Sequence, residues 1–203
     1  MKKKQEKSVK RVFLFFLVAI LVLGGMFIYR EISLIKESNF AYNGVDFSRV
    51  NANGLIRYRF PIYVNNAQVP FYAELRNNPK DLDYITYDPS VKELVIGKKN
   101  AYVSMDKNST GISVIAYTTI KQFLADPELW GINTTGTFTE AVGKYIVKTC
   151  SDANGEDAVI LFEVGNEDKI YKRNECVVLE TSSEDNLIKV AERFDLILLG
   201  VVK

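Results

Sequence analysis

Histidine is absent from this chain of 203 residues, and its absence excludes several classes of function. Without imidazole the chain cannot build a Ser-His-Asp or Cys-His catalytic group, a histidine-ligated zinc site or a histidine switch near neutral pH. With only two cysteines, one chain also cannot supply a zinc site of four thiolates. The sequence therefore predicts neither a cofactor nor a zinc centre.

Clustered basic residues are also lacking beyond the N-terminus. The first 11 residues carry six of the 26 Lys and Arg and one of the 25 Asp and Glu, which leaves the rest of the chain with a net charge of −4. Because phosphate contacts require grouped Lys and Arg side chains, this mildly acidic body is a poor binder of nucleic acid. We therefore expect no nucleic-acid partner.

The two cysteines, Cys150 and Cys176, each adjoin a strand-like run. Outside the cytoplasm such a pair is typical of a disulfide, which here would close a loop of 26 positions. The loop-entropy description gives this cross-link about 3–4 kcal/mol of stabilisation. Two buried free thiols are the alternative interpretation.

Residues 12–29, VFLFFLVAILVLGGMFIY, form an uncharged apolar run. A bilayer core about 30 Å thick requires roughly 20 such residues, so the run predicts a single transmembrane helix. The basic arm of residues 1–11 precedes it, which predicts a cytoplasmic N-terminus and a C-terminal domain outside the cell membrane. The lipid bilayer is accordingly an expected partner.

A cleaved signal peptide is the rival interpretation of this run. Its apolar region would normally be about 7–15 residues long and end at small residues. Here Gly24 and Gly25 are followed by bulky residues at 26–29, which favours an uncleaved signal-anchor. No cysteine lies near the end of the run, which excludes a lipoprotein anchor.

The remaining chain predicts a stalk at residues 30–38 and one extracytoplasmic domain at 39–203, with a candidate subdivision at the polar residues 131–137. The expected fold is α+β, a mostly antiparallel sheet with helices packed on one face. Periodicity and turn residues predict strands at 55–64, 69–75, 87–97, 101–105, 145–150, 158–164, 169–172 and 175–180. Helices are predicted at 110–125 and 181–200, with a short one opening at Asn78 and Pro79.

Three of these elements carry more detailed predictions. The strand pairs 55–64 with 69–75 and 158–164 with 169–172 are expected to form hairpins. Pro61 cannot donate a ladder hydrogen bond, which predicts an edge strand or a bulge. Ser182 and Asp185 have the spacing of a capping box for the last helix.

Five short patterns are candidate sites. Asn108 and Asn133 begin N-x-S/T sequences, the acceptors of N-glycosylation on exposed loops. Asp152, Asn154 and Asp157 make up a fragment of a calcium-binding loop, with a plain polar turn as the alternative.

The other two patterns are S-x-x-K sequences, Ser104 to Lys107 and Ser33 to Lys36. A serine and lysine pair can form a nucleophile without histidine. The companion boxes of the known serine–lysine enzymes are missing, so we assign no catalytic residue.

The C-terminal third, residues 145–201, resembles small archaeal membrane-anchored proteins of unassigned function. The similarity is one of pattern, with a cysteine after a strand, an apolar hairpin, a second cysteine and a closing helix, and the lysine-rich start and apolar run agree with it. The resemblance implies a single anchor, and it brings no activity and no functional residues.

The sequence thus predicts a single-pass membrane-anchored extracytoplasmic domain with a binding or envelope-structural role. Two alternatives stay open. One is a membrane-tethered hydrolase that uses carboxylates or a Ser-Lys pair, and the other is an accessory subunit of a membrane complex. Envelope or membrane-complex proteins are the expected protein partners.

Overall fold

The computed structural model describes residues 20–26, 38–63 and 70–202. The chain divides into two compact units, residues 1–40 and residues 41–203. In the first unit, residues 20–26 belong to a helix, α1, and their side chains are exposed.

No helix in the described part of the chain is long and apolar enough to cross a membrane. The transmembrane helix that we expected ahead of the sheet is therefore wrong as a part of this fold. Its residues 12–19 and 27–29 lie outside the described residues, as do the basic arm at 1–11 and the stalk residues 30–37.

The first sheet has four strands in the order β1-β2-β3-β4. Their bounds are β1 Asn39–Tyr42, β2 Val45–Ala52, β3 Leu55–Ile62 and β4 Phe71–Leu75. The predicted hairpin is confirmed, since β3 and β4 pair antiparallel. Because β2 also pairs with β3, the strand that contains Pro61 is internal and the predicted edge strand is wrong.

The second sheet has six strands in the order β5-β9-β10-β8-β6-β7. Their bounds are β5 Thr86–Tyr87, β6 Asn100–Met105, β7 Asn133–Phe138, β8 Ala158–Val164, β9 Lys169–Arg173 and β10 Cys176–Thr181. Of the five pairings between these described strands, four are parallel and one, β9 with β10, is antiparallel.

The α+β class is confirmed, but a mostly antiparallel arrangement is wrong for this larger sheet. The predicted hairpin of β8 with β9 does not form, because β10 lies between them. Both β8 and β10 are apolar and buried along nearly their whole length. Continuous apolar runs of this kind are typical of parallel strands covered on both faces.

Three segments differ from the local predictions. The polar residues 131–137 contain most of β7, whose threonines are β-branched and suit an extended chain. Residues 145–150 form an irregular segment with one isolated bridge, from Val147 to Phe138. In place of the strand predicted at 87–97, a 3₁₀ turn begins at Pro89, whose fixed φ suits the first helical position.

The main helices of the second unit are α2, Gly111–Leu124, and α3, Leu187–Leu198. Shorter 3₁₀ turns cover Pro79–Leu82, Pro89–Lys92, Cys150–Asp152 and Glu184–Asn186. The Thr110 side chain caps α2 by accepting the Ile112 N–H at 3.2 Å. Helices α2 and α3 pack on each other and against the six-stranded sheet.

The capping box expected before α3 is wrong. Ser183 takes the cap position of the 3₁₀ turn without a side-chain cap bond. Asp168, from the turn before β9, instead accepts the backbone N–H of Ser182 at 2.6 Å and its hydroxyl at 2.7 Å. The Asp168 carboxylate, distant in sequence, therefore accepts the hydrogen bond from the Ser182 N–H that the capping-box spacing had assigned to Asp185.

The predicted disulfide between Cys150 and Cys176 is confirmed, with a Cα–Cα distance of 5.2 Å. It joins the 3₁₀ turn at Cys150 to the first residue of β10. Around it pack Val159, Leu161 and Val178 on the sheet. The disulfide thus fastens the long connection between β7 and β8 to the sheet.

Candidate functional site

The order of the parallel strands places a crevice between β6 and β8. These two strands are neighbours and run parallel. From β6 the chain continues through α2 to β7 on one side, whereas from β8 it continues to β9 and β10 on the opposite side. Where the connections of adjacent parallel strands diverge, a crevice opens at the carboxyl ends of those strands, and ligands bind there in open α/β sheets.

A cavity of about 310 Å³ lies at this position. The volume is at the lower end of the range of small-ligand sites, about 300–1,000 Å³. Its lining comes from the segment after β6, the start of α2, the end of β8 and the segment after β10. The lining residues are Asp106, Asn108, Ser109, Ser113, Phe162, Glu163, Val164, Glu184 and Leu187. We call this cavity the switch-point crevice.

Glu184 occupies the N-terminus of helix α2, at one wall of the crevice. Its Oε1 accepts the Thr110 N–H at 2.7 Å, the Thr110 hydroxyl at 2.6 Å and the Ser113 hydroxyl at 3.1 Å. These hydrogen bonds, the one from the Thr110 side chain first, lower the pKa of the Glu184 carboxyl. A helix N-terminus is the natural place for an anion, and here the protein supplies the anion itself.

The second carboxylate of the crevice, Glu163, is paired. Arg173 donates from Nη1 to Oε2 at 2.8 Å and from Nη2 to Oε1 at 3.0 Å, a bidentate arrangement. The same Nη2 donates to the Tyr171 hydroxyl at 2.6 Å. Both oxygens of Glu163 are therefore engaged with one guanidinium.

Asp106 is the third carboxylate and has no salt bridge with any described residue. Its Oδ1 accepts the backbone N–H of Asn108 at 2.7 Å. The adjacent Lys107 forms its ion pair with Glu140, and the charge of Asp106 makes a smaller contribution to the raised pKa of Lys107. One carboxylate oxygen of Asp106 is thus available to a ligand.

Apolar side chains complete the crevice. Phe162 and Leu187 are buried, while Val164 at the end of β8 is 63% exposed. A 63% exposed valine beside a cavity offers apolar surface to a bound molecule. The crevice accordingly combines unpaired negative charge with an apolar floor and rim.

Comparisons with protein-family models, with curated proteins and with solved structures return no match to this chain. The resemblance to archaeal membrane-anchored proteins therefore stays a prediction.

The two predicted glycosylation acceptors lie far apart in the fold. Asn108 is exposed at the switch-point crevice. Asn133 is exposed at the first position of β7, where its amide donates to Asn100 Oδ1 at 3.1 Å. A glycan on Asn108 would stand at the mouth of the crevice, whereas one on Asn133 would not.

The candidate calcium ligands point to separate partners. Asp152 accepts the Thr149 N–H at 2.7 Å, Asn154 accepts the Glu156 N–H at 3.1 Å, and Asp157 accepts the Asn100 amide at 2.8 Å. Within the described ranges, no group of three or more Cys, Asp or Glu side chains is arranged to hold a metal ion. Residues 152–157 agree with the alternative interpretation, a polar turn.

Ser104 and Lys107 do not form a pair. Ser104 is fully buried and donates its hydroxyl to the backbone carbonyl of Lys148, while the Lys107 ammonium donates to Glu140. The second pattern, Ser33 to Lys36, lies outside the described residues.

Two acidic residues of α3 were missed by the sequence reasoning. Asp195 is fully buried, and neither carboxylate oxygen has a hydrogen-bond partner among the described residues. Glu192 is 1% exposed and accepts the N–H and side-chain amide of Asn77 at 3.0 and 2.8 Å. Burial, and secondly the Glu192 charge, raise the pKa of Asp195 well above its ordinary value. The helical stripe at 187–199 gave no sign that residues 190–198 would be buried on every side.

Proposed function

We propose that this chain is an extracytoplasmic binding protein whose ligand site is the switch-point crevice. The observation that carries the proposal is the coincidence of a cavity of about 310 Å³ with the point where the strand order reverses. The disulfide supports the location, because such bonds persist chiefly in oxidising compartments.

The chemistry of the crevice favours a small cationic ligand with an apolar body. Of the three carboxylates that line it, Glu163 is paired with Arg173, whereas Asp106 and Glu184 have no salt bridge with a described residue. An anionic ligand would find the helix N-terminus already occupied by Glu184. An ammonium group, by contrast, can interact with the open oxygen of Asp106 while its carbon chain contacts Phe162 and Val164.

Binding is favoured over catalysis by the surroundings of the hydroxyl groups. A serine nucleophile needs an adjacent base or a lowered pKa. Ser113 in the crevice donates to Glu184, but hydrogen bonds lower the pKa of that carboxyl and make it a weak base. The buried Ser104 donates to a backbone carbonyl. The hydrolase and membrane-complex alternatives stay predictions without a specific observation in their favour.

Isothermal titration of the purified, disulfide-bonded chain tests this function. We expect binding of 3-methylbutylamine and none of 3-methylbutanoate, which has the same carbon skeleton with the opposite charge. Asp106→Asn should weaken amine binding about tenfold, because hydrogen bonds to charged groups contribute roughly 1.5–3 kcal/mol.

The control for this experiment is Asp81→Asn, which changes an exposed aspartate in the turn before β5 that lines no described cavity. Equal binding of the amine and the carboxylate would refute the charge preference. No binding of either compound, or an unchanged affinity in Asp106→Asn, would refute the site.

A further inference from the structure

A second cavity system runs along the edge of the four-stranded sheet, between β4 and helix α2. Two adjoining cavities of about 360 and 290 Å³ form it, and both are lined by Glu74 of β4 and Gln122 of α2. The larger cavity extends to Arg57, Arg76 and Glu192. We call the two cavities together the β4 groove. It is separate from the switch-point crevice and does not depend on the function proposed for it.

The backbone of β4 is open toward this groove. β4 is the last strand of its sheet, and its partner β3 places Pro61 opposite Tyr72. Proline has no N–H, so Pro61 and Tyr72 suit a non-hydrogen-bonded pair of the antiparallel ladder. In such a pair the backbone groups point away from the partner strand, and this direction recurs at every second residue. The N–H and C=O groups of Tyr72 and Glu74 therefore point away from β3. The next N–H of the same parity, that of Arg76, does point away, because it donates to Glu192.

Outside the β3–β4 ladder, no described residue forms a hydrogen bond with the backbone of Tyr72 or Glu74. An edge strand with unpaired N–H and C=O groups is a template for an additional strand. Helix α2 forms the opposite wall of the groove and carries Gln122 and two threonines toward it. Strand addition beside a helix is an established mode of peptide recognition.

Two arginines at one end of the groove, Arg57 and Arg76, have no salt bridge with a described residue, while the lining also contains Glu74, Glu192 and Asp126. The register that pairs Tyr58 with Leu75 places Arg57 opposite Arg76 one position further on. Like charges directly opposite each other are unfavourable in a sheet. Neither guanidinium forms a salt bridge or a hydrogen bond with a described residue, whereas nearby Arg59 is paired with Glu74 at 2.6 Å.

The acid closest to these arginines is already engaged. Glu192 accepts the backbone N–H groups of Arg76 and Asn77 and the side-chain amide of Asn77. The charge of Arg76 acts on Glu192 and opposes the rise in the Glu192 pKa on burial, but neither guanidinium donates to a described carboxylate. A bound partner can provide one, and bidentate arginine contacts favour a carboxylate in that position.

We propose that the β4 groove binds an extended acidic segment of a partner protein. The segment adds as a strand to β4, bonds to the backbone of Tyr72 and Glu74, and places a carboxylate side chain between Arg57 and Arg76. The five residues of β4 extend about 17 Å, so a segment of five to seven residues covers the groove.

Fluorescence anisotropy with the full chain tests this proposal. The probe is a fluorescein-labelled, C-terminally amidated heptapeptide of sequence Thr-Glu-Thr-Val-Thr-Glu-Thr. Two comparison peptides replace both glutamates by lysine or carry N-methyl groups at alternate residues. We expect the acidic peptide to bind, and each comparison peptide to bind at least tenfold more weakly, since one loses the charge and the other loses main-chain donors.

Protein variants locate the contact. Arg57→Gln combined with Arg76→Gln should weaken binding of the acidic peptide at least tenfold. Arg49→Gln, which changes an exposed arginine on β2 of the same sheet, should leave it unchanged. The N-methylated peptide tests main-chain pairing on the unaltered protein, so a folding defect in a variant cannot decide the outcome.

Three results would overturn the proposal. They are no binding of the acidic peptide, equal binding of the lysine or N-methylated peptide, and unchanged binding in the double arginine variant. Analytical ultracentrifugation adds a fourth. A dimer that dissociates in the double variant would show that a second copy of this chain occupies the groove.

Discussion

The backbone nitrogen of Thr110 lies 2.7 Å from the Oε1 atom of Glu184, although the two residues are 74 positions apart in the chain. This contact ties the start of α2 to the segment that leads into α3. It also fills the helix N-terminus that faces the switch-point crevice with a carboxylate of the protein.

Replacing Glu184 by glutamine should destabilise the domain by about 1 kcal/mol, the usual magnitude for a cap or helix-dipole interaction. The pKa of Glu184 is lowered in the folded state, and this sets the direction in which stability depends on pH. The stabilisation from Glu184 is present above the ordinary glutamate pKa and is lost as the pH falls through the lower folded value. Urea unfolding at pH 7 and at pH 3 should therefore differ less for Glu184→Gln than for the unaltered chain.

The neighbouring Asp185 provides the control, since it is exposed. Asp185→Asn should leave the free energy of unfolding within about 0.5 kcal/mol at both pH values. A Glu184→Gln chain with unaltered stability at pH 7 would contradict the role given to this contact.

Asp195 predicts the opposite dependence on pH. Burial raises its pKa, so the folded state holds a proton that the unfolded chain releases near the ordinary aspartate value. Stability is full below that value and falls as the pH rises toward the folded pKa. Above about pH 4, where the aspartate of the unfolded chain ionises, the free energy of unfolding should decrease by up to about 1.4 kcal/mol per pH unit until the pH reaches the folded pKa.

Asp195→Asn removes this titration and should flatten the slope in the same pH window, with greater stability than the unaltered chain at pH 8. Guanidinium unfolding monitored by the fluorescence of the single tryptophan provides the measurement. Asp81→Asn should keep the original slope. If the free energy of unfolding of Asp195→Asn still decreased with pH at the original slope, the pH dependence would belong to another group.

The disulfide should contribute about 3–4 kcal/mol to stability, as expected for a loop of 26 positions. Urea unfolding with and without dithiothreitol measures this difference. The chain with both Cys150→Ala and Cys176→Ala should resemble the reduced protein and no longer respond to dithiothreitol. A reductant effect that persists in the double variant would show that the loss does not come from this bond.

A buried arginine joins α3 to the turn before β5. Arg193 has 7% of its side chain exposed, and its Nη1 donates to the Tyr42 hydroxyl at 2.7 Å and to Asp83 Oδ1 at 3.0 Å. Asp83→Ala should destabilise the domain by about 1–3 kcal/mol, because it leaves a buried cation with fewer partners.

Combining Asp83→Ala with Arg193→Met should recover much of that loss, since a buried pair can often be replaced by apolar groups. Chemical unfolding of the four chains of the double-mutant cycle gives the coupling energy. Strictly additive losses would indicate that Arg193 and Asp83 do not depend on each other.

Several strands and helices were predictable from the sequence, because a short stretch of residues carries the pattern that defines them. The strand predicted around β3, the helix predicted at 110–125 and the disulfide between Cys150 and Cys176 all agree with the structure. The strand order was not predictable, because β10 enters between β8 and β9 through pairings that no short pattern encodes. The run at 12–29 predicted a transmembrane helix, and no helix among the described residues is long and apolar enough to be one.

The candidate site depended on that unpredicted strand order. Asp106, Glu163 and Glu184 come from three separate segments, and only the adjacency of β6, β8 and β10 brings them to one cavity. Asn108 was selected for another reason, as a glycosylation acceptor. The buried Asp195 gave no signal either, because its helix face is covered by elements distant in sequence.

The most direct test of the central claim is a map of where a small amine binds. Amide ¹H–¹⁵N spectra of the isotopically labelled chain would be recorded during titration with 3-methylbutylamine. We predict that the largest shift changes fall at residues 106–113, 162–165 and 184–187, around the switch-point crevice. Largest changes at the β4 groove or elsewhere, or no changes at saturating amine, would contradict the claim.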